Sequence, residues 1–295
     1  PVPVDWGVRS LQNGGLATMG YIGNDGEIYG GSSTTNNMGI SFAFCVGEKS
    51  ASQLTLESAT WDKIDYISSA GKASEVFSVG DEKTIKLSNL EDVTLVILGF
   101  NHDTLSDGTG KAGITFGLKN LLATKYAINS TATNVGGWRD SAIRSSTMNT
   151  VLASFPSDLQ SVIKNVTKKS RAGGNLNAIY NTEDKLWLFS EVEIDGNNDD
   201  ANYNEGSQYE YWKTVKDGTV PENRAKYLSN GKGAMNAWWL RTPFDSPIRN
   251  DSFYYVGGKG QSFDFDGEQI VIPDGAIGGT ATANTEFGIC FGFCI

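Results

Sequence analysis

The sequence predicts an α+β fold, loop-rich, with two helices and a small twisted antiparallel sheet. Three observations predict it. Strand-like segments crowd both ends of the chain, and two amphipathic stretches sit together in the middle. The 35 glycines among 295 residues mark many tight turns.

Residues 1–47 read as short strands joined by Gly/Asn turns. Asn24-Asp25-Gly26 separates Tyr21-Ile22 from Ile28-Tyr29, and Asp-Gly takes the positive φ that a tight hairpin turn requires. Residues 48–60 are small and polar and read as a linker. A second unit begins with residues 61–67. Residues 79–87 and 93–100 read as strands, and the second is nearly all apolar, hence central. Met148, Val151, Leu152 and Phe155 lie at helical spacing, with Asp140 and Ser141 as upstream N-cap candidates and Pro156 as the stop. Ser157 and Asp158 then cap a second helix carrying Leu159, Val162, Ile163 and Val166 on one face. Lys168, Lys169 and Arg171 fall at its end, where the helix dipole favours cations. Residues 185–189 and 192–194 return to strand, and residues 195–209 form a long polar loop. After Trp238-Trp239-Leu240-Arg241 come a hairpin, a Gly/Thr-rich loop and a closing strand over residues 287–295.

Part of this pattern occurs twice. Trp6-Gly7-Val8-Arg9 recurs as Trp238-Trp239-Leu240-Arg241, and Gly20-Tyr21-Ile22-Gly23 as Tyr254-Tyr255-Val256-Gly257. Residues 39–45 recur as residues 288–294, in the same order, after a longer insertion. The expected organisation is therefore the C-terminal half of a repeated unit at 1–47, a linker at 48–60 and a complete unit at 61–295. The half-unit is either a piece of a longer tandem array or a segment that docks elsewhere. Repeats of this kind point to a modular binding surface.

Charge narrows the partners. Asp and Glu number 34 against 24 Lys and Arg, for a net charge of −10, which argues against a phosphate backbone as the ligand. No apolar run approaches the length of a membrane span, and no signal-peptide pattern opens the sequence as given. Cys45, Cys290 and Cys294 read as buried thiols, with a Cys45–Cys294 bridge as an alternative. Cys290 and Cys294 lie four residues apart on a strand, about 13 Å, too far to bridge.

Four segments in order carry a resemblance: Asn134-Val135-Gly136-Gly137-Trp138 through Arg144, Asp184 through Trp187, Ser190 and Glu193, Glu205-Gly206-Ser207-Gln208-Tyr209, and Trp239-Leu240-Arg241-Thr242-Pro243. Together they resemble the DUF6273 domain over about residues 60–295. The resemblance implies a setting in bacterial surface proteins, phages or prophages, and no established activity. The Trp-x-x-Arg segment, hairpin and closing Gly-x-x-Phe strand are also similar to C-type-lectin-fold proteins of the formylglycine-generating type. That second likeness implies a C-type-lectin-like fold, with loops over a small sheet presenting a ligand surface.

His102, the single histidine, has Asp103 beside it and could act as a general base. Its place at the end of a core strand favours a structural, hydrogen-bonded role. The sequence shows no Ser–His–Asp order, P-loop or Cys/His metal cluster, so zinc and other cofactors are not expected. The closing-strand position of Cys290 and Cys294 does not suit oxidase chemistry. Asp195, Asn197, Asp199, Asp200, Asn202 and Glu205 are oxygen-rich as calcium sites are, but the spacing is not an EF-hand, and a solvated acidic loop is the simpler reading. Trp138, Trp187, Trp238, Trp239 and Arg241 read as core or corner residues. The best candidate binding surface is residues 244–266, with Arg249, Asn250, Asp251, Tyr254, Tyr255, Gln261, Asp264 and Asp266. Tyr, Asn, Ser and Gly are the residues adaptable binding loops favour.

The expected function is a non-enzymatic binding module of a virion (tail fibre, head fibre or baseplate), recognising a host-surface glycan or protein. Its expected partners besides that ligand are further copies of itself or other virion proteins. A secreted or wall-attached adhesin and a purely structural virion protein are the alternatives. Two carboxylates brought together by folding would leave room for glycoside hydrolysis.

Overall fold

The structure, a computed structural model, describes residues 6–11, 18–22, 27–33, 54–89, 91–196, 204–213, 222–231, 233–246, 249–260, 262–265, 268–272 and 274–295. The chain divides into two compact units, Pro1–Gln53 and Leu54–Ile295. The first contains an antiparallel meander of β1 (Trp6–Leu11), β2 (Thr18–Ile22) and β3 (Ile28–Ser33).

The second unit starts before Trp61, so part of the stretch expected as linker belongs to it. Leu56 and Ala59 are buried, and the Lys83 ammonium donates to the carbonyls of Leu56, Glu57 and Ala59 at 3.3, 2.9 and 2.8 Å. Helix α1 (Trp61–Ser69) is capped by the Thr60 hydroxyl and buries Trp61, Ile64 and Ile67 at helical spacing; the short α2 (Ala73–Val76) follows. Next come β4 (Glu82–Lys86), β5 (Asp92–Phe100) and β6 (Ile114–Leu118). A π-helical turn, Ile143–Thr147, leads into α3 (Met148–Ala153), and α4 (Ser157–Val162) follows Pro156.

Here the structure corrects the sequence reading. The second helix ends at Val162, and Val166 to Arg171 form β7 (Val166–Arg171), paired with β8 (Ile179–Asp184). Lys168 and Lys169 are strand residues on opposite faces, and burial alternates through Val166, Lys168 and Ser170 as a period of two dictates. After β9 (Trp187–Leu188), the expected strand at 192–194 is instead α5 (Glu191–Asp195). A capping box explains it: the Ser190 hydroxyl accepts from the Glu193 N–H while Glu193 reaches back to the Ser190 N–H.

The unit closes with β10 (Trp238–Pro243), β11 (Ser252–Val256), β12 (Ser262–Phe265), β13 (Glu268–Val271), β14 (Ile277–Thr282) and β15 (Phe291–Cys294). The main sheet has the order β4-β5-β6-β15-β9, and the last strand in the chain lies inside it, between β6 and β9. Phe116 of β6 pairs with Phe293 of β15, their rings stacked at 5.2 Å, and Phe155 closes over Phe291 and Phe293. Gly292 lies opposite Gly117, and a Cβ there would meet the Phe189 ring at 2.7 Å, so only glycine admits this packing. Among the described residues no helix is long and apolar enough to cross a membrane.

A second sheet has the order β10-β11-β14. Its register repeats that of the N-terminal meander. Trp238 pairs with Val256, Trp239 with Tyr255 and Pro243 with Phe253, as Trp6 pairs with Ile22, Gly7 with Tyr21 and Leu11 with Met19. The irregularity falls at the same place in both. The β12–β13 hairpin fills the longer insertion between the second and third strands of the later copy.

Candidate functional site

Where β5 ends, Asn101 adopts a left-handed backbone, φ 50°, unusual for a residue with a side chain. The chain turns there and directs Asp103 inward. Asp103 is 5% exposed and accepts from Lys168 Nζ at 2.7 Å, from the Thr115 hydroxyl at 2.6 Å and from the Tyr209 hydroxyl at 2.9 and 3.0 Å. Lys168 also meets Glu193 Oε1 at 2.5 Å and lies over the Trp187 ring at 4.4 Å. Glu193 in turn accepts from Arg241 at 2.5 and 3.1 Å. Arg241 spends its remaining donors on the carbonyls of Leu188, Lys169 and Glu205. The result is a buried alternating chain, Asp103–Lys168–Glu193–Arg241, with two anions and two cations.

The charge states follow from this pairing. The Lys168 ammonium and the hydrogen bonds around it outweigh the burial of Asp103 and hold its carboxyl far below the usual carboxylate range. Glu193 is likewise held low, Arg241 and Lys168 overcoming desolvation. Glu205 differs. Burial pushes its carboxyl up, although Arg241, the Thr242 hydroxyl and the Arg171 N–H all act to lower it. Burial and the neighbouring Asp103 push the Cys294 thiol up, and burial does the same to Cys290. Both are buried free thiols held in the protonated direction, the opposite of a reactive thiolate.

Asp103, Lys168 and Glu193 of this network, with Glu205, form the floor of a cleft of about 260 Å³. Its wall and rim carry His102, Lys111, Lys169, Asn204 and Ser207. His102 stacks on the Tyr209 ring at 4.0 Å, and its Nε2 lies 3.0 Å from the Ser207 hydroxyl. The Lys111 ammonium donates to the His102 carbonyl at 2.9 Å and fixes the turn. The site draws on the end of β5, on β7, and on α5 with the 204–209 segment that follows it, three stretches well separated in sequence.

The candidate residues of the 244–266 segment lie elsewhere. Arg249 and Asn250 are exposed; Arg249 donates to the Ser252 hydroxyl at 2.7 Å and lies 3.4 Å from Asp251. Tyr254 packs edge-on against Phe244. Tyr255 is a core residue and a correction: it is 3% exposed, with its ring 4.8 Å from Phe287, because strand alternation turns it inward. Asp264 falls on β12, and Gln261 and Asp266 lie outside the described residues. None of the described members of this set lines the cleft.

The acidic loop is also not uniformly solvated. Glu205 is buried, and Asp195 pairs with Arg224 at 2.5 Å. Asn197, Asp199, Asp200 and Asn202 lie outside the described residues, as does Cys45. Among the described residues no group of three or more His, Cys, Asp or Glu could hold a metal ion. The five residues Trp138, Trp187, Trp238, Trp239 and Arg241 are all fully buried.

The recurring motifs now have physical roles. The Asn134 amide donates to the carbonyls of Phe244 and Ser252 and accepts from the Gly174 N–H, stitching three segments together. Gly137, at φ +56°, approaches the Arg171 carbonyl so closely that a Cβ would sit 2.1 Å from its oxygen. Trp138 Nε1 and Arg144 Nε both donate to Asp184, at 3.0 and 2.7 Å. Ser190, Glu193, Glu205, Tyr209, Arg241 and Thr242 belong to the network beneath the cleft. A family model described as "Domain of unknown function (DUF6273)" matches residues 113–272, more than half of the chain. No curated protein and no solved structure matches it. The matched stretch includes most of the residues that hold the buried network together, and the chain belongs to the DUF6273 family.

Proposed function

We propose that the Leu54–Ile295 unit is a binding module whose ligand seat is the His102–Ser207 cleft. Its ligand is a polar group of a host-surface glycan or protein. One observation carries this reading: the cleft is polar at its rim and is built on a floor of paired charges. Lys111, Lys169, Asn204 and Ser207 offer donors and acceptors at the rim. The Asp103–Lys168–Glu193–Arg241 chain keeps the floor from rearranging, so little ordering cost falls on binding. A hydroxyl-rich sugar matches such a mixed rim better than an apolar ligand does.

The C-type-lectin-like arrangement, with loops over a small sheet presenting the ligand, is part of the proposal. So is display on a virion, with a cell-surface adhesin as the alternative. The Trp-x-x-Arg repeat and the acidic charge support a modular surface protein. The test is a glycan array together with whole-cell binding, each run with the native chain and with Lys169→Glu. Retention of a defined glycan class, lost in the variant, is the expected result. Blank arrays and no cell binding would overturn it.

A further inference from the structure

His102, Asp103 and Ser207 meet in the cleft although nothing in their sequence order announces it. We propose that they form a proton relay that makes Ser207 a nucleophile toward small carboxylic esters.

The geometry has the required polarity. His102 Nδ1 is cut off from solvent, makes no hydrogen bond in this state, and lies 3.6 Å from Asp103 Oδ2. A ring lone pair facing a carboxylate would be repelled, so Nδ1 carries the hydrogen. Nε2 is then the acceptor, and the Ser207 hydroxyl 3.0 Å away is its donor. This is the arrangement of a general base about to take a proton from an alcohol. Catalytic contacts are often long before substrate binds, and the relay requires this 3.6 Å separation to shorten to hydrogen-bond distance.

Further features favour chemistry over packing alone. Asp103 is held ionised against its burial chiefly by Lys168, and it also accepts from the Thr115 and Tyr209 hydroxyls, so it can stabilise an imidazolium as it forms. The Tyr209 ring fixes the imidazole plane by stacking at 4.0 Å. Asn101, next to His102, adopts a left-handed backbone, φ 50°, that makes the turn placing the imidazole over the cleft. Ser207 is exposed, so a substrate can reach it. Lys111 and Lys169 line the same cleft, and their charge favours a developing oxyanion.

The reaction is balanced with ester and water alone. Ser207 Oγ bonds to the ester carbonyl carbon as its proton passes to His102 Nε2. The C–O bond to the alcohol breaks, and the alcohol leaves with that proton. Water, deprotonated by Nε2, then attacks the acyl-Ser207 ester, releasing the carboxylic acid and restoring the serine. A cleft of about 260 Å³ favours short acyl groups, such as those esterified to polar ligands.

The test uses the full chain, a fluorophosphonate probe and 4-nitrophenyl acetate. The expected result is one adduct per chain by intact mass, mapped to Ser207. Ser207→Ala abolishes it at an unchanged melting temperature, and His102→Gln slows labelling and ester turnover about 100-fold or more. No adduct, or equal labelling of the Ser207→Ala protein, overturns the relay. The relay is independent of the glycan reading: a protein that labels but binds no glycan loses only the latter. One that binds glycan and resists the probe loses only the relay.

Discussion

Arg241 and Glu193 form a two-point ion pair, at 2.5 and 3.1 Å, with 0% and 1% of their side chains exposed. Breaking a buried pair leaves the other charge stranded, at a cost of about 3–5 kcal/mol. Arg241→Ala is therefore expected to lower the unfolding free energy by about that amount. Arg241→Lys recovers only part of it, because one ammonium cannot reach Glu193 and the carbonyls of Leu188, Lys169 and Glu205 together. Urea denaturation measures both. A loss under about 1 kcal/mol for the alanine variant would mean the pair is dispensable.

Acid stability follows from the same network. The folded-state carboxyls of Asp103 and Glu193 are held below their ordinary values of 3.8 and 4.5. Their contribution is present above those ordinary values and lost as pH falls, because the unfolded chain takes up protons before the folded one does. Glu205 has the opposite sign: its raised value contributes below its ordinary 4.5 and is lost as pH rises through the folded value. The expected profile falls steeply between about pH 5 and pH 3. Asp103→Asn shallows that fall, and Glu205→Gln makes the protein relatively more stable above about pH 5. Melting temperatures across roughly pH 3 to 8 decide it, and an unchanged acid limb in Asp103→Asn would assign the acid sensitivity elsewhere.

Two glycines separate backbone strain from steric clash. Gly108 has φ +74° with nothing within 4 Å of where a Cβ would stand, whereas Gly137 has φ +56° with the Arg171 carbonyl 2.1 Å away. Gly108→Ala is expected to cost about 1 kcal/mol, the conformational part alone. Gly137→Ala adds displacement of the β7 end against the Asn134 loop and costs at least about twice as much. Equal thermal shifts for the two would show that the loop yields freely.

Much of the fold was legible in the residues. The apolar run at 93–100, the Pro156 break and the repeated Trp-x-x-Arg hairpin all correspond to local rules, and β5, the α3–α4 corner and the β10–β11 register reflect them. One misreading has a non-local cause. Lys168, Lys169 and Arg171 look like a helix end because charge is expected outside, but Lys168 is buried against Asp103 and Glu193, partners that lie outside any local window. Two local signals were available. Val166, Lys168 and Ser170 alternate as a strand does, and Ser190-x-x-Glu193 is a capping box. The cleft was not legible, since His102 and Ser207 are 105 residues apart and meet only when Tyr209 stacks against the imidazole.

Two surfaces compete as the ligand seat, and they are separable. The Arg249–Asn250 corner is exposed, but the Arg249 side chain and the Asn250 carbonyl are engaged: the carbonyl accepts from the Asn134 N–H at 2.9 Å, and Arg249 bonds to Ser252 and pairs with Asp251. Lys169 makes no ion pair among the described residues and stands at the cleft rim. A ligand seated in the cleft is thus expected to lose about tenfold or more in affinity with Lys169→Glu, a change of at least about 1.4 kcal/mol. The weakening should be greater at low salt, where the reversed charge is least screened. Arg249→Ala with Asn250→Ala leaves affinity within about twofold. Surface-immobilised ligand titrated with both variants gives the answer, and the reverse pattern would move the seat to the 244–266 corner.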